Sequence, residues 1–159
     1  MKRLTFLILF FSQILNANSG PFIPYLSPGI TLSVNSSGMF VLSPKISIGI
    51  FNNQSFYNVT FGTSYSSDKG LYPHSFYEIQ FGYQMPQISI GGRPLLLGGG
   101  FGITNPRDKD YPSSFRFTAF GGSFIFLNTT FLFDQPLKVE PGFQIVLPLP
   151  LIRIGNLNG

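Results

Sequence analysis

Residues 75–85 read SFYEIQFGYQM. Every second residue from Tyr77 gives Tyr77, Ile79, Phe81, Tyr83 and Met85, while the alternate set is Phe76, Glu78, Gln80, Gly82 and Gln84. An apolar face and a largely polar face repeating every two residues are the signature of a β-strand. Two environments produce it. In one the apolar face lies in the core of a water-soluble sheet, and in the other it faces lipid while the polar face points into the lumen of a closed sheet.

Outward from this stretch the same period recurs. Ile30 to Val34 alternate, followed by the turn Asn35-Ser36-Ser37-Gly38. Residues 39–50 set Phe40, Leu42, Ile46 and Ile48 against Val41, Ser43, Lys45 and Ser47, and residues 55–66 set Tyr57, Val59, Phe61 and Tyr65 against Asn58, Thr60 and Ser64. After 75–85 come segments at 95–104, 114–122 and 125–134, and an eighth beginning near Gly142. Residues 20–28, GPFIPYLSP, carry three prolines and read as an extended lead-in. Pro44 falls inside the second segment, and Pro148 and Pro150 predict a bulge in the last one or its end near Leu147, because proline brings no ladder donor.

Charge decides between the two environments. Lys, Arg, Asp and Glu make up 10% of the 159 residues, against roughly 25% in soluble domains. A sheet facing water needs charge on its polar side, but the inward-parity face of these segments carries mainly Lys45, Glu78 and Arg116 amid Ser, Thr, Asn, Gln and Gly. A narrow lumen favours small polar side chains and a few charges that neutralise one another. The second to fifth segments, of roughly 10–12 residues, suit the 9–11 that a tilted strand needs to cross a bilayer. The expected fold is all-β, a transmembrane antiparallel up-and-down β-barrel of about eight strands. Lys45, Glu78 and Arg116 are expected to form a lumen network that plugs it rather than a conducting path.

The first nineteen residues, MKRLTFLILFFSQILNANS, have a basic start, an apolar run and small residues near the end. They read as a secretory signal peptide over 1–19, leaving the barrel domain at 20–159. Removing Lys2 and Arg3 leaves eight basic residues against six acidic ones, scattered singly, so the formal charge of +4 does not point to nucleic acid. Cysteine is absent, which excludes a disulfide framework and thiol chemistry.

Signal, strands, an aromatic-rich apolar face and charged alternate loops together resemble the small eight-stranded outer-membrane β-barrel proteins of Gram-negative bacteria. The resemblance implies an outer-membrane location, contact with outer-membrane lipid, and insertion by the barrel-assembly machinery. With the alternation, the low charge and the signal peptide, the expected role is structural or surface-interaction, without an enzymatic activity or a cofactor. The candidate contacts for an extracellular ligand are Asp68, Lys69 and His74 in one long loop and Arg107, Asp108, Lys109 and Asp110 in another.

Two other functions follow from particular residues. Some barrels of this kind are lipid-modifying enzymes with a serine and a histidine near the outer rim, and His74 with Ser75 lies at that rim; neighbours on a strand point to opposite faces, so the pair is misplaced for catalysis. A secreted soluble β-sandwich or lipocalin-like carrier is the other alternative, disfavoured by the missing surface charge. The run Gly98-Gly99-Gly100-Phe101-Gly102 lacks the lysine and helix of a phosphate-binding loop and reads as glycine facing a crowded lumen. Asp108, Asp110 and Asp134 lack the glycine and glutamate of a calcium loop.

Overall fold

The computed structural model describes residues 22–52, 54–67, 73–106, 112–123, 125–133 and 137–151. The signal-peptide reading of 1–19 and the loop candidates Asp68, Lys69, Arg107, Asp108, Lys109 and Asp110, with Asp134, lie outside the described residues. The strands are β1 (Phe22–Val34), β2 (Phe40–Asn52), β3 (Ser55–Ser66), β4 (His74–Ile90), β5 (Arg93–Pro106), β6 (Ser114–Gly122), β7 (Ile125–Leu132), β8 (Lys138–Val146) and the short β9 (Leu149–Pro150). From β1 to β8 each pairs antiparallel with the next, and β1 pairs with both β2 and β8, so the sheet closes into an eight-stranded up-and-down barrel in which β9, paired with β1, prolongs β8.

The registers fix the shape of that barrel. From Phe22 the partners run through Asn52, Ser55, Tyr83, Leu97, Gly121, Leu127 and Phe143 and come back to β1 at Leu32, ten residues beyond the start. A stagger of that size in eight strands tilts them by roughly 40° to the axis and leaves an interior that side chains fill or that holds one small ligand.

Polarity is inverted relative to a soluble domain. Outward positions are apolar and exposed, such as Phe40, Ile48, Ile79, Phe101 and Phe143, while inward positions such as Ser47, Thr60, Glu78, Gln80 and Thr118 are buried. Along β6 the burial alternates at every position from Ser114 to Ala119. On the outer face Phe61 meets Tyr77 edge-on at 5.5 Å, an arrangement favoured by the ring quadrupoles.

Several boundaries differ from the sequence expectation. The lead-in is part of β1, which starts at Phe22. The residues left between the segments at 75–85 and 95–104 are strand and turn: β4 continues to Ile90 and turns through Gly91-Gly92, both with positive φ (61° and 76°), as a two-residue hairpin requires. Pro86, Gln87 and Ile88 sit in the register shift between Met85 and Ser89, so the proline is absorbed by a bulge. β7 ends at Leu132, and β8 begins four residues earlier than Gly142, at Lys138.

The other prolines are tolerated because of which way their missing donors point. Leu147 N donates to Pro28 O and Leu151 N to Pro24 O, so the amide positions of Pro148 and Pro150 face away from β1, on the side where β7 has already ended. β9 therefore keeps the β8 register on β1 across the interruption at Leu147 and Pro148. At Pro44 the ladder to β3 lapses for two residues, and the Ser43 and Ser64 hydroxyls bridge the gap at 2.7 Å.

Glycine makes room for inward aromatics. Phe76 lies across from Gly62, Phe56 from Gly82 and Phe120 from Gly98, and a Cβ on any of these glycines runs into the facing ring. Gly100 and Gly102 are opposed in the same way by Glu78 and by the Tyr77–Glu78 backbone. Gly98→Val is expected to destabilise the barrel by about 1–3 kcal/mol through overpacking, read as a lower urea midpoint in vesicles. Combining it with Phe120→Ala is expected to cost less than the two changes added separately.

Candidate functional site

Glu78, Arg116 and Lys45 project from β4, β6 and β2 into the middle of the lumen. Glu78 and Arg116 are 2% and 8% exposed, and Arg116 Nε lies 3.0 Å from Glu78 Oε2. That N–H is not aligned as a hydrogen bond, so the attraction is chiefly coulombic. The guanidinium also sits 3.8 Å from the centre of the Phe76 ring, a cation–π contact that the glycine at position 62 leaves space for.

Around the pair, Thr118 Oγ1 donates to Glu78 Oε2 at 3.3 Å and Gln80 Nε2 to Glu78 Oε1 at 3.1 Å. Thr118 in turn shares a 3.2 Å hydrogen bond with Thr130. The chain of bonds runs on toward the end of the barrel that carries the short turns: Asn58 Nδ2 donates to Gln80 Oε1 at 3.4 Å, and Tyr25 OH donates to Asn58 Oδ1. A continuous polar spine thus runs from Tyr25 to Thr130. A buried ionic pair is stable only when its remaining lone pairs and protons are satisfied in this manner.

Lys45 joins the pair at a distance rather than by direct contact. Its Nζ donates to Gln144 Oε1 at 2.5 Å, and it interacts with Glu78 and Arg116 through space. A fourth charge, Glu140 on β8, faces Arg116 electrostatically and was missed in the sequence. With it the mid-lumen holds two cations and two anions among the described residues. The signal was available: Glu140 has the same parity as Gln144, but Pro141-Gly142 reads as the start of a strand rather than its interior. The space left among these groups is a cavity of about 10 Å³, about one water at most.

Toward the short-turn end the lumen changes character. Phe56 stacks on Phe120 at 5.9 Å and Phe126 meets Phe120 edge-on at 6.2 Å, with Phe51, Leu96 and Val146 packed against them. These rings border a cavity of about 550 Å³. Its members lie on the predominantly polar face of the alternation, where Phe56, Phe120 and Phe126 are exceptions that the sequence reading did not connect.

His74 opens β4 at the long-loop end, half-buried, with Ser75 pointing outward. Ser64, its cross-strand neighbour, has its hydroxyl engaged with Ser43. Ser75 is therefore not brought to the imidazole, and the Ser64 hydroxyl is committed to Ser43. Among the described residues no three His, Asp or Glu side chains form a group that holds a metal ion.

No protein-family model matches the chain, and no curated protein does. Among solved structures it is similar to one described as "De novo design of transmembrane beta-barrels", with 13% identity, a TM-score of 0.43, and coverage of 77% of this chain and 95% of that one.

Proposed function

We propose that this chain is an integral membrane β-barrel of the bacterial outer membrane, exported through its N-terminal segment and inserted by the barrel-assembly machinery. Its lumen is closed at mid-height, and it serves a structural or surface-interaction role through its long loops without catalysis. The observation that carries the reading is the inverted polarity: the barrel exposes a continuous belt of Ile, Leu, Val, Phe and Tyr and buries Ser, Thr, Asn, Gln and its central charges. Contiguous apolar surface of this extent is rare on soluble monomers, and a closed sheet is one of the two structures whose backbone is satisfied in lipid. Closure of the lumen rests on the neutral charge cluster and the small residual space around it.

Two measurements test this. Unboiled protein in detergent is expected to run at a different gel mobility from boiled protein and to fractionate with the outer membrane; recovery from soluble periplasm without a shift sinks the membrane assignment. In a planar bilayer the purified barrel is expected to give no sustained ionic current, and stable conductance steps would show that the lumen is open.

A further inference from the structure

The lumen is packed unevenly along its axis. Against about 10 Å³ of free space around Glu78 and Arg116, the short-turn end holds about 550 Å³, within the range of cavities that hold a small molecule. An eight-stranded barrel admits one such ligand, not two side by side.

The lining specifies its chemistry. The wall is the Phe56, Phe120 and Phe126 cluster with Leu96 and Val146. At the inner end lie Asn58, Gln80 and Gln144, whose amides are already engaged: Asn58 with Tyr25 and Gln80, Gln80 with Glu78, and Gln144 with Lys45. With those bonds made, the floor acts chiefly as a stop for the end of a ligand. The lining residue that carries charge is Arg93, exposed beside the Gly91-Gly92 turn of the β4–β5 hairpin.

We propose that this cavity binds the single hydrocarbon chain of an anionic amphiphile, a fatty-acid carboxylate. The terminal methyl lies toward the Gln80 floor and the carboxylate at Arg93. Apolar surface along the wall holds the chain by excluding water, and the guanidinium favours an anionic headgroup over a neutral one. A two-chain phospholipid exceeds the single-ligand interior. The inference adds a ligand to the membrane-barrel reading and takes from it the lipid setting in which such a chain is supplied.

The full chain contains no tryptophan, so one substitution creates one fluorescent reporter. Phe120→Trp places it in the cavity wall, with Leu96→Trp as the second cavity reporter if the first does not fold, and Phe117→Trp places it on the outer face. Each variant is refolded into phosphatidylcholine vesicles and titrated with a fatty acid brominated at mid-chain or with phosphatidylcholine brominated at mid-chain. The cavity reporter is expected to be quenched by the acid, saturating at one per barrel, and to be indifferent to brominated phospholipid. Quenching that rises without saturation, or equally with both quenchers, overturns the site. The Phe117→Trp reporter is expected to be quenched by brominated phospholipid; failure there overturns the membrane reading independently of the cavity. Adding Arg93→Gln is expected to weaken acid binding about tenfold and leave the matching brominated alcohol unchanged; an equal effect on both overturns the placement of the carboxylate.

Discussion

Ile79→Arg is expected to destabilise the barrel in lipid vesicles by about 2–4 kcal/mol, the cost of a cationic side chain on the lipid face near mid-membrane. Ile79 lies in the central part of the β3–β4–β5 sheet, opposite Val59 on one side and Phe101 on the other, and all three are outward and apolar. An arginine there lies several residues from either rim, so reaching headgroups by snorkelling requires distortion of the side chain or of the bilayer. The size of the effect tells whether this exposed apolar face of the barrel meets lipid or water. If that face met water, an exposed Ile-to-Arg change would lie within about 0.5 kcal/mol of neutral. Equilibrium urea unfolding in vesicles supplies the free energy, and Ser36→Arg, in the exposed turn between β1 and β2, serves as the control expected to change nothing.

The parts of the molecule legible in the sequence are those where side-chain parity carries the information. Strands β3 and β6 have the predicted bounds because their alternation runs unbroken up to turn residues. Lys45, Glu78 and Arg116 share a parity, and closure of the sheet brings them to one level of the lumen. What stayed hidden depends on partners across the sheet. Whether Pro24 and Pro28 break a strand depends on whether the neighbouring strand needs their amides, and here β1 continues while its carbonyls still accept from Leu151 and Leu147. The β4–β5 hairpin is hidden because Pro86 looks like the end of a strand, whereas a bulge over residues 86–88 carries the strand past it. The aromatic cavity is a register effect: Phe56, Phe120 and Phe126 are separated by up to 70 positions in the chain and meet because the stagger between strands places them at the same end.

Glu78→Gln is expected to cost about 3–5 kcal/mol, the largest loss from any single change inside the lumen, because it leaves a buried arginine without its anion. The amide keeps the shape of the carboxylate and its oxygen accepts from Thr118 as before, while its NH2 replaces the oxygen that accepts from Gln80, so the loss combines the missing charge with one displaced hydrogen bond. Two cations, Arg116 and Lys45, then face Glu140 alone among the four mid-lumen charges. Removing the arginine as well, in Glu78→Gln/Arg116→Gln, is expected to recover a substantial part of that loss, since an uncompensated charge costs more than the intact pair contributes. Urea unfolding of the wild type, both single variants and the double variant closes the cycle. If Glu78→Gln is neutral while the protein still folds into vesicles, Arg116 is finding water, and the mid-lumen is hydrated rather than closed. The planar-bilayer measurement should then show ionic current in Glu78→Gln even where the wild type carries none. If the loss and its partial recovery are both seen, the charge cluster seals the lumen between the long loops and the aromatic cavity, and that cavity is open at its short-turn end alone.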